Sequence, residues 1–232
     1  DLEAFLSGST QRFGMEKKDK IRPFLTHRFK PSQIDGIDFG NLHQTELLEK
    51  MANFFGLREK VSRDPFCLPK NNRKFNKVGM VPGSSNTPEK RWPVENWISL
   101  IQKFSAFNEA ITFHLFGTKD DNEITAYISS QCSTSQVFDR AGSTNLSQLT
   151  EELASCSLVI GNDTGSMHLA NMVGTPAVVL FGPTNANITK PFFNAMCIPI
   201  NSPKSSEIDK LSPDQVFSTI QKEYETFPKL NK

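Results

Sequence analysis

The chain has 232 residues, 37% of them hydrophobic and 22% charged, and its 26 lysines and arginines nearly balance 25 aspartates and glutamates. A net charge of +1 excludes the global basic field of a nucleic-acid-coating protein, and the composition is that of a soluble globular chain, neither disordered nor fibrous. The longest apolar run, Ala177–Phe181, is far short of the ~20 residues needed to span a bilayer. The length allows one large domain or two small ones. Cys67, Cys132, Cys156 and Cys197 are scattered and make no C-x-x-C pair, so no zinc knuckle or redox motif is expected, and a reducing cytoplasm is the expected setting. Asp1 stands where an initiating Met would, with no basic-then-apolar leader after it, which reads as a processed product or a piece of a longer protein.

Residues before Asp64 have their own character. Short strands are expected around Arg12-Phe13-Gly14 and Phe24-Leu25-Thr26, and a helix over Asn41–Phe55, where Leu47, Leu48, Met51, Phe54 and Phe55 recur at helical spacing before Gly56. This is too little for a separate stable α/β domain. Between Arg12 and Lys30, seven basic residues (Arg12, Lys17, Lys18, Lys20, Arg22, Arg28, Lys30) face two acidic ones, a local +5 that leaves −4 for the remainder. The segment reads either as a solvated charged face or as a surface for an anionic acceptor or a lipid headgroup region.

From Lys77 onward, strand and helix patterns alternate. Val78-Gly79-Met80-Val81 reads as a strand running into the turn-rich Pro82-Gly83-Ser84-Ser85, and the helix after it opens at Pro93 and carries Trp97, Leu100, Ile101 and Phe104 on one face. Ile111–Phe116 is a strand ended by Gly117, followed by a helix over Asp121–Ser130 with Ile124 and Ile128 inward. Val137-Phe138 is a weak strand, and Leu146–Ala154 a helix presenting Leu146, Leu149 and Leu153. Ser157–Ile160 enters the loop Gly161-Asn162-Asp163-Thr164-Gly165, Ser166–Val173 is a short helix ended by Gly174, and Ala177–Phe181 is a buried strand. A last helix, N-capped by Ser212 and carried by Val216, Phe217 and Ile220, is expected to pack back across the sheet. Repeated strand-helix units predict a parallel sheet with helices on both faces, a Rossmann-like α/β domain.

Ligands of such sheets bind beyond the carboxyl ends of the strands, which directs attention to three loops. In Gly161–His168 the small residues let a backbone approach a ligand, and the amides of a helix start suit a phosphate; Thr164 and His168, four apart, share one helix face. The plainer alternative is that Asp163 or Thr164 caps the helix and His168 is a satisfied core residue. In Pro82–Pro93 the hydroxyls of Ser84, Ser85 and Thr87 precede Lys90 and Arg91, groups that suit phosphate oxygens. In Gly117–Asp121 the carboxylates either cap a helix or accept from ribose hydroxyls. Neither G-x-x-x-x-G-K-[ST], G-x-G-x-x-G nor G-x-S-x-G occurs, which weighs against a nucleoside triphosphatase, an NAD enzyme and an α/β hydrolase.

Taken in order, V-G-M-V-P-G-S-S…K-R-W-P (Val78 to Pro93), L-F-G-T-K-D-D (Leu115 to Asp121), A-G-S-T-N-L (Ala141 to Leu146) and G-N-D-T-G-S-M-H-L-A…G-T-P-A-V-V-L-F-G-P-T (Gly161 to Thr184) resemble the C-terminal half of the family nine glycosyltransferases, the ADP-heptose:lipopolysaccharide heptosyltransferases. Asp1 to Gly14 is similar to a late part of the same family's N-terminal domain. The resemblance implies a GT-B architecture, with residues 1–64 the end of an acceptor domain and residues 65–232 a donor-binding, Rossmann-like domain that includes the C-terminal helix. It also implies roles for single residues. Asp163, Thr164 and Gly165 would contact the donor's diphosphate and sugar with His168 behind them, Lys90 would neutralise the leaving diphosphate, and Ser84 and Ser85 would supply hydroxyls near the phosphates. Asp121, or equally Asp120, would meet the adenosine, and Thr144 would line the adenine side.

The implied reaction moves a heptose from ADP-heptose to a hydroxyl of the lipopolysaccharide inner core with inversion, and needs neither cofactor nor metal. The family's acidic base lies near the start of its N-terminal domain and matches nothing here, so this chain alone is expected to bind ADP without turnover. The implied setting is cytoplasmic, with peripheral contact at the inner face of the inner membrane through an anionic acceptor. A non-catalytic nucleotide-sugar binding module, or a family member with another nucleotide-sugar donor, would fit the same motifs.

Overall fold

The computed structural model describes residues 2–16, 22–31, 40–57, 60–66, 74–84, 87–132 and 136–224. The chain divides into two compact units, Asp1–Ser62 and Arg63–Lys232. In the first, helix α1 (Leu2–Leu6) precedes two short parallel strands, β1 (Phe13–Met15) and β2 (His27–Phe29), and helix α2 (Gln44–Phe54). The second strand begins one residue beyond the expected Phe24–Thr26 segment. Leu25 and Phe29 are buried, and Phe29 meets Phe54 edge-on at 5.3 Å. His43 caps α2 by accepting from the Thr45 amide, and Gly56, at φ +91°, turns the chain out of the helix as its left-handed conformation allows. Of the basic stretch, Arg12 is turned onto the backbone carbonyls of Ser9 and Phe24 and Lys30 pairs with Glu16 at 3.4 Å, whereas Arg28 is exposed. Lys17, Lys18 and Lys20 lie outside the described residues.

The second unit is built on six strands, all parallel. Its elements in chain order are β3 (Lys74–Val81), α3 (Val94–Phe107), β4 (Thr112–Leu115), α4 (Asn122–Gln131), β5 (Val137–Asp139), α5 (Leu146–Ala154), β6 (Cys156–Asn162), α6 (Gly165–Met172), β7 (Ala177–Phe181), the single turn α7 (Ala186–Thr189), β8 (Cys197–Asn201) and α8 (Pro213–Tyr224). The strand order is β5-β4-β3-β6-β7-β8, a doubly wound sheet whose winding reverses between β3 and β6. Alternation along the strands sorts the core into two layers. Val78, Met80, Leu158, Ile160, Val178 and Leu180 face one way, onto Trp97, Leu100, Ile101 and Phe104 of α3, Ile128 of α4, and Val216 and Ile220 of α8. Val81, Val159, Ala177, Val179 and Phe181 face the other way, onto Leu153 of α5 and Met167 and Ala170 of α6. Each fully buried Val, Leu, Ile, Phe or Met among them contributes roughly 1.5–3 kcal/mol relative to exposure. Helix α8 lies along α3, its Phe217 against Phe104 at 5.0 Å. It is anchored by the Trp92 indole, which donates to the Leu211 carbonyl at 2.7 Å.

Candidate functional site

At the winding reversal, the chain leaves β3 through Val81-Pro82-Gly83-Ser84 and leaves β6 through Asp163-Thr164 into α6. Adjacent parallel strands whose connections run to opposite sides leave a crevice between their carboxyl ends. A pocket of about 510 Å³ occupies it, lined by Gly83 and Ser84, by Gly117, Thr118, Lys119 and Asp121 after β4, by Gly142, Thr144 and the first turns of α5, and by Thr164, Gly165 and Ser166 at the start of α6.

The start of α6 is unusual in what it leaves open. Thr164 occupies the cap position, yet its side chain makes no capping hydrogen bond, and its buried Oγ1 has no partner among the described residues. Asp163 does not cap the helix either. Its carboxylate, only 4% exposed, accepts at Oδ2 from Lys90 Nζ at 2.7 Å, Thr184 Oγ1 at 2.9 Å and Thr189 Oγ1 at 3.3 Å. Asp163 and Lys90 therefore form a buried ion pair beside the helix start and are not on the pocket wall. Lys90 also donates to the Asp163 carbonyl at 3.4 Å, so two of its three N–H bonds are used by the pair. His168 is exposed on α6, neither a core residue nor a pocket-lining one.

Of the two carboxylates left open by the sequence, Asp121 is buried and lines the pocket, whereas Asp120 is exposed and does not. Asp121 Oδ2 accepts from the Thr118 amide and hydroxyl, both at 2.8 Å, in a capping box, while Oδ1 has no hydrogen-bond partner among the described residues and Arg91 stands 4.0 Å away. Asp121 thus both caps the short helical turn and lines the pocket. Gly83 makes room for it, since a Cβ there would lie 2.2 Å from Asp121 Oδ1. Ser84 and Thr144 are on the wall, and Ser85 lies outside the described residues.

Three contributors escape any local reading of the sequence. Asn162, fully buried, donates from Nδ2 to the carbonyls of Pro82 (2.8 Å) and Gly83 (3.3 Å) and accepts at Oδ1 from the Trp92 amide. Thr184 and Thr189 hold Asp163. A polar residue at the end of an apolar strand was the available signal for Asn162; nothing local marks Thr189.

A second polar cluster lies under the sheet on the α5 side. Lys77 bonds Glu152 and Ser155, Arg140 bonds Glu152 at 2.9 Å, and His114 stacks on Phe138 at 5.0 Å. Burial, then the Lys77 cation, pulls the His114 imidazole down to about 4, with Arg140 and Lys74 acting in the same direction and Glu152 against it.

A six-stranded parallel sheet in this order, with a strand-end pocket bounded by the start of a helix, defines a Rossmann-like, doubly wound domain with a ligand crevice, the class of domain found in GT-B folds. The chain belongs to glycosyltransferase family 9 (heptosyltransferase), whose pattern matches residues 45–216. It is 35% identical to lipopolysaccharide heptosyltransferase 2 of Salmonella typhimurium over 120 residues, covering 49% of this chain and 33% of the relative. To lipopolysaccharide heptosyltransferase 2 of Escherichia coli it is 32% identical over 117 residues, with the same coverage of each. The matched segment thus spans about a third of these relatives. Among solved structures, the family 9 glycosyl transferase of Veillonella parvula superposes with a TM-score of 0.72 at 21% identity, over 94% of this chain and 68% of that one. The E. coli ADP-heptose lps heptosyltransferase II superposes with a TM-score of 0.58 at 23% identity, over 82% and 53%. No helix among the described residues is long and apolar enough to cross a membrane.

Proposed function

We propose that this chain carries the donor-binding part of a heptosyltransferase that moves a heptose from ADP-heptose to a hydroxyl of the lipopolysaccharide core with inversion. The family membership and the names of its relatives support the heptosyl class. The observation that carries donor binding is the open start of α6, where a Thr164 hydroxyl without a partner among the described residues and the first helical amides border the 510 Å³ pocket. That is the place for a diphosphate, because exposed amides and the positive end of the helix dipole favour anions there. Ser84, Asp121 and Thr144 line the same volume, and in this reading the last two serve the adenosine. In an inverting transfer the acceptor oxygen bonds the anomeric carbon, its proton passes to a base, and the bond from that carbon to the phosphate oxygen breaks, leaving ADP with added negative charge. The helix start meets that charge, with Lys90 held beside it by Asp163, in a scheme without a metal or cofactor. The base is assigned to no residue of this chain. In this reading the acceptor is anionic, and the exposed Arg28 belongs to the basic surface offered to it at the cytoplasmic face of the inner membrane.

The test is titration calorimetry of the 232-residue chain with ADP, UDP and GDP, repeated with Thr164→Val. ADP is expected to bind most tightly. The valine variant should lose about fivefold to tenfold in ADP affinity while its stability stays level or rises by up to ~1 kcal/mol, since the hydroxyl it removes has no partner among the described residues. Absence of ADP binding, or equal binding by the variant, overturns the assignment.

A further inference from the structure

The geometry points to Asn162 as the positioning residue that turns the backbone amides of Gly83 and Ser84 toward the donor's phosphates, with Arg91 pinning the same loop at the Ser84 carbonyl, an inference that rests on the donor-binding reading above. Three consecutive carbonyls of the loop after β3 are drawn into the protein. Those of Pro82 and Gly83 accept from Asn162 Nδ2, at 2.8 and 3.3 Å, and that of Ser84 accepts from Arg91 Nε at 3.1 Å and Nη2 at 2.9 Å. No described peptide bond is cis, and in a trans peptide each carbonyl points opposite to the following N–H. With the carbonyls of Pro82 and Gly83 held by a residue of the sheet interior, the N–H groups of Gly83 and Ser84 face the other way. Both residues line the pocket, and neither amide has an acceptor among the described residues. Successive amides aimed into one concavity make an anion-binding nest.

Asn162 is suited to this task where neither Asp nor Leu would be. Its amide donates two bonds to the loop, while its oxygen takes the Trp92 amide at 3.2 Å, fixing the same loop at its far end. Arg91 does more than hold Ser84. Its guanidinium stands 4.0 Å from Asp121 Oδ1, the carboxylate packed against Gly83, and so offsets a negative charge that would otherwise oppose a phosphate at this loop. The nest and the α6 start line the same pocket at the ends of the neighbouring strands β3 and β6, so the two groups of amides would hold a diphosphate together.

Because the nest serves phosphates and not the nucleoside, the two ligands ADP and adenosine separate positioning from general disruption. In Asn162→Asp, acceptor oxygens replace the donors facing the two carbonyls, and ADP binding is expected to weaken about tenfold or more while adenosine binding changes by less than about twofold. Arg91→Ala, at a side chain that is 32% exposed, guards against a misfolded Asn162 variant, and is expected to show the same selective loss at several-fold, partly restored in Arg91→Lys. Equal losses for ADP and adenosine in these variants, or an unchanged ADP affinity, would overturn the inference while leaving the donor reading standing. A wild-type chain that binds no ADP would take both down.

Discussion

Removing Lys90 should cost more than removing its partner. The Asp163 carboxylate is 4% exposed and the Lys90 side chain 20% exposed. In Lys90→Ala the carboxylate stays buried with only the hydroxyls of Thr184 and Thr189, an uncompensated charge whose expected cost is about 3–5 kcal/mol. In Asp163→Asn the hydrogen-bonding shape survives, and the stranded ammonium sits at the end of a flexible stem that can reach water, so the expected cost is about 1–2 kcal/mol. For a domain of this size, 3 kcal/mol corresponds to a fall of roughly 6–12 °C in Tm. Urea unfolding at pH 7 of both single variants and of the double variant measures the coupling, which should exceed about 1 kcal/mol. If Asp163→Asn costs as much as Lys90→Ala, or if the two effects simply add, the ion pair does not organise the start of α6. The same numbers govern how ADP binding is read in Lys90→Ala, since lost affinity there combines a missing cation with a disturbed Asp163.

Two further outcomes follow from single contacts. Free in the unfolded chain, the His114 imidazole titrates near 6.5, whereas folded it is held down to about 4, first by burial and then by Lys77; the unfolded chain therefore takes up more protons between these values. Stability should be complete above about pH 6.5 and fall as the pH drops toward 4, and His114→Phe, which keeps the stack on Phe138, should lessen that fall in urea midpoints taken at pH 7 and pH 5; an undiminished fall would discount His114. Gly83→Ala would put a methyl 2.2 Å from Asp121 Oδ1, and should cost about 1–3 kcal/mol in thermal or urea unfolding, most of it recovered when Asp121→Ala is added; no recovery would mean the clash lies elsewhere.

The central strands and the amphipathic helices were legible because their signals are local. Ala177–Phe181 and Leu146–Ala154 coincide with β7 and α5, and the four apolar positions of α3 are all buried. The edge strand β8 was not foreseen. Its run Cys197-Ile-Pro-Ile-Asn is short, half-exposed and interrupted by Pro199, which an edge position tolerates because one side of the strand has no ladder to supply. At the site, the loops themselves were legible as glycine-rich and hydroxyl-rich strand ends, and the partners within them were not. Asp163 bonds Lys90, Thr184 and Thr189, and the two hydroxyls come from beyond β7, where no local pattern ties them to this loop. Asn162 looked like one more small polar loop residue; its bonds reach back about eighty positions, a distance over which no spacing rule operates.

That long reach has a kinetic consequence. With every strand of the sheet parallel and β3 paired to β6 at its centre, no hairpin can bring the two pocket walls together early, and the loop between them must close before either wall has its partner. The pocket should therefore be among the last features to form and among the first lost when β6 parts from β3. A nucleotide that bridges the two walls would act as a fastener on that seam, slowing unfolding in proportion to how far its concentration exceeds its Kd.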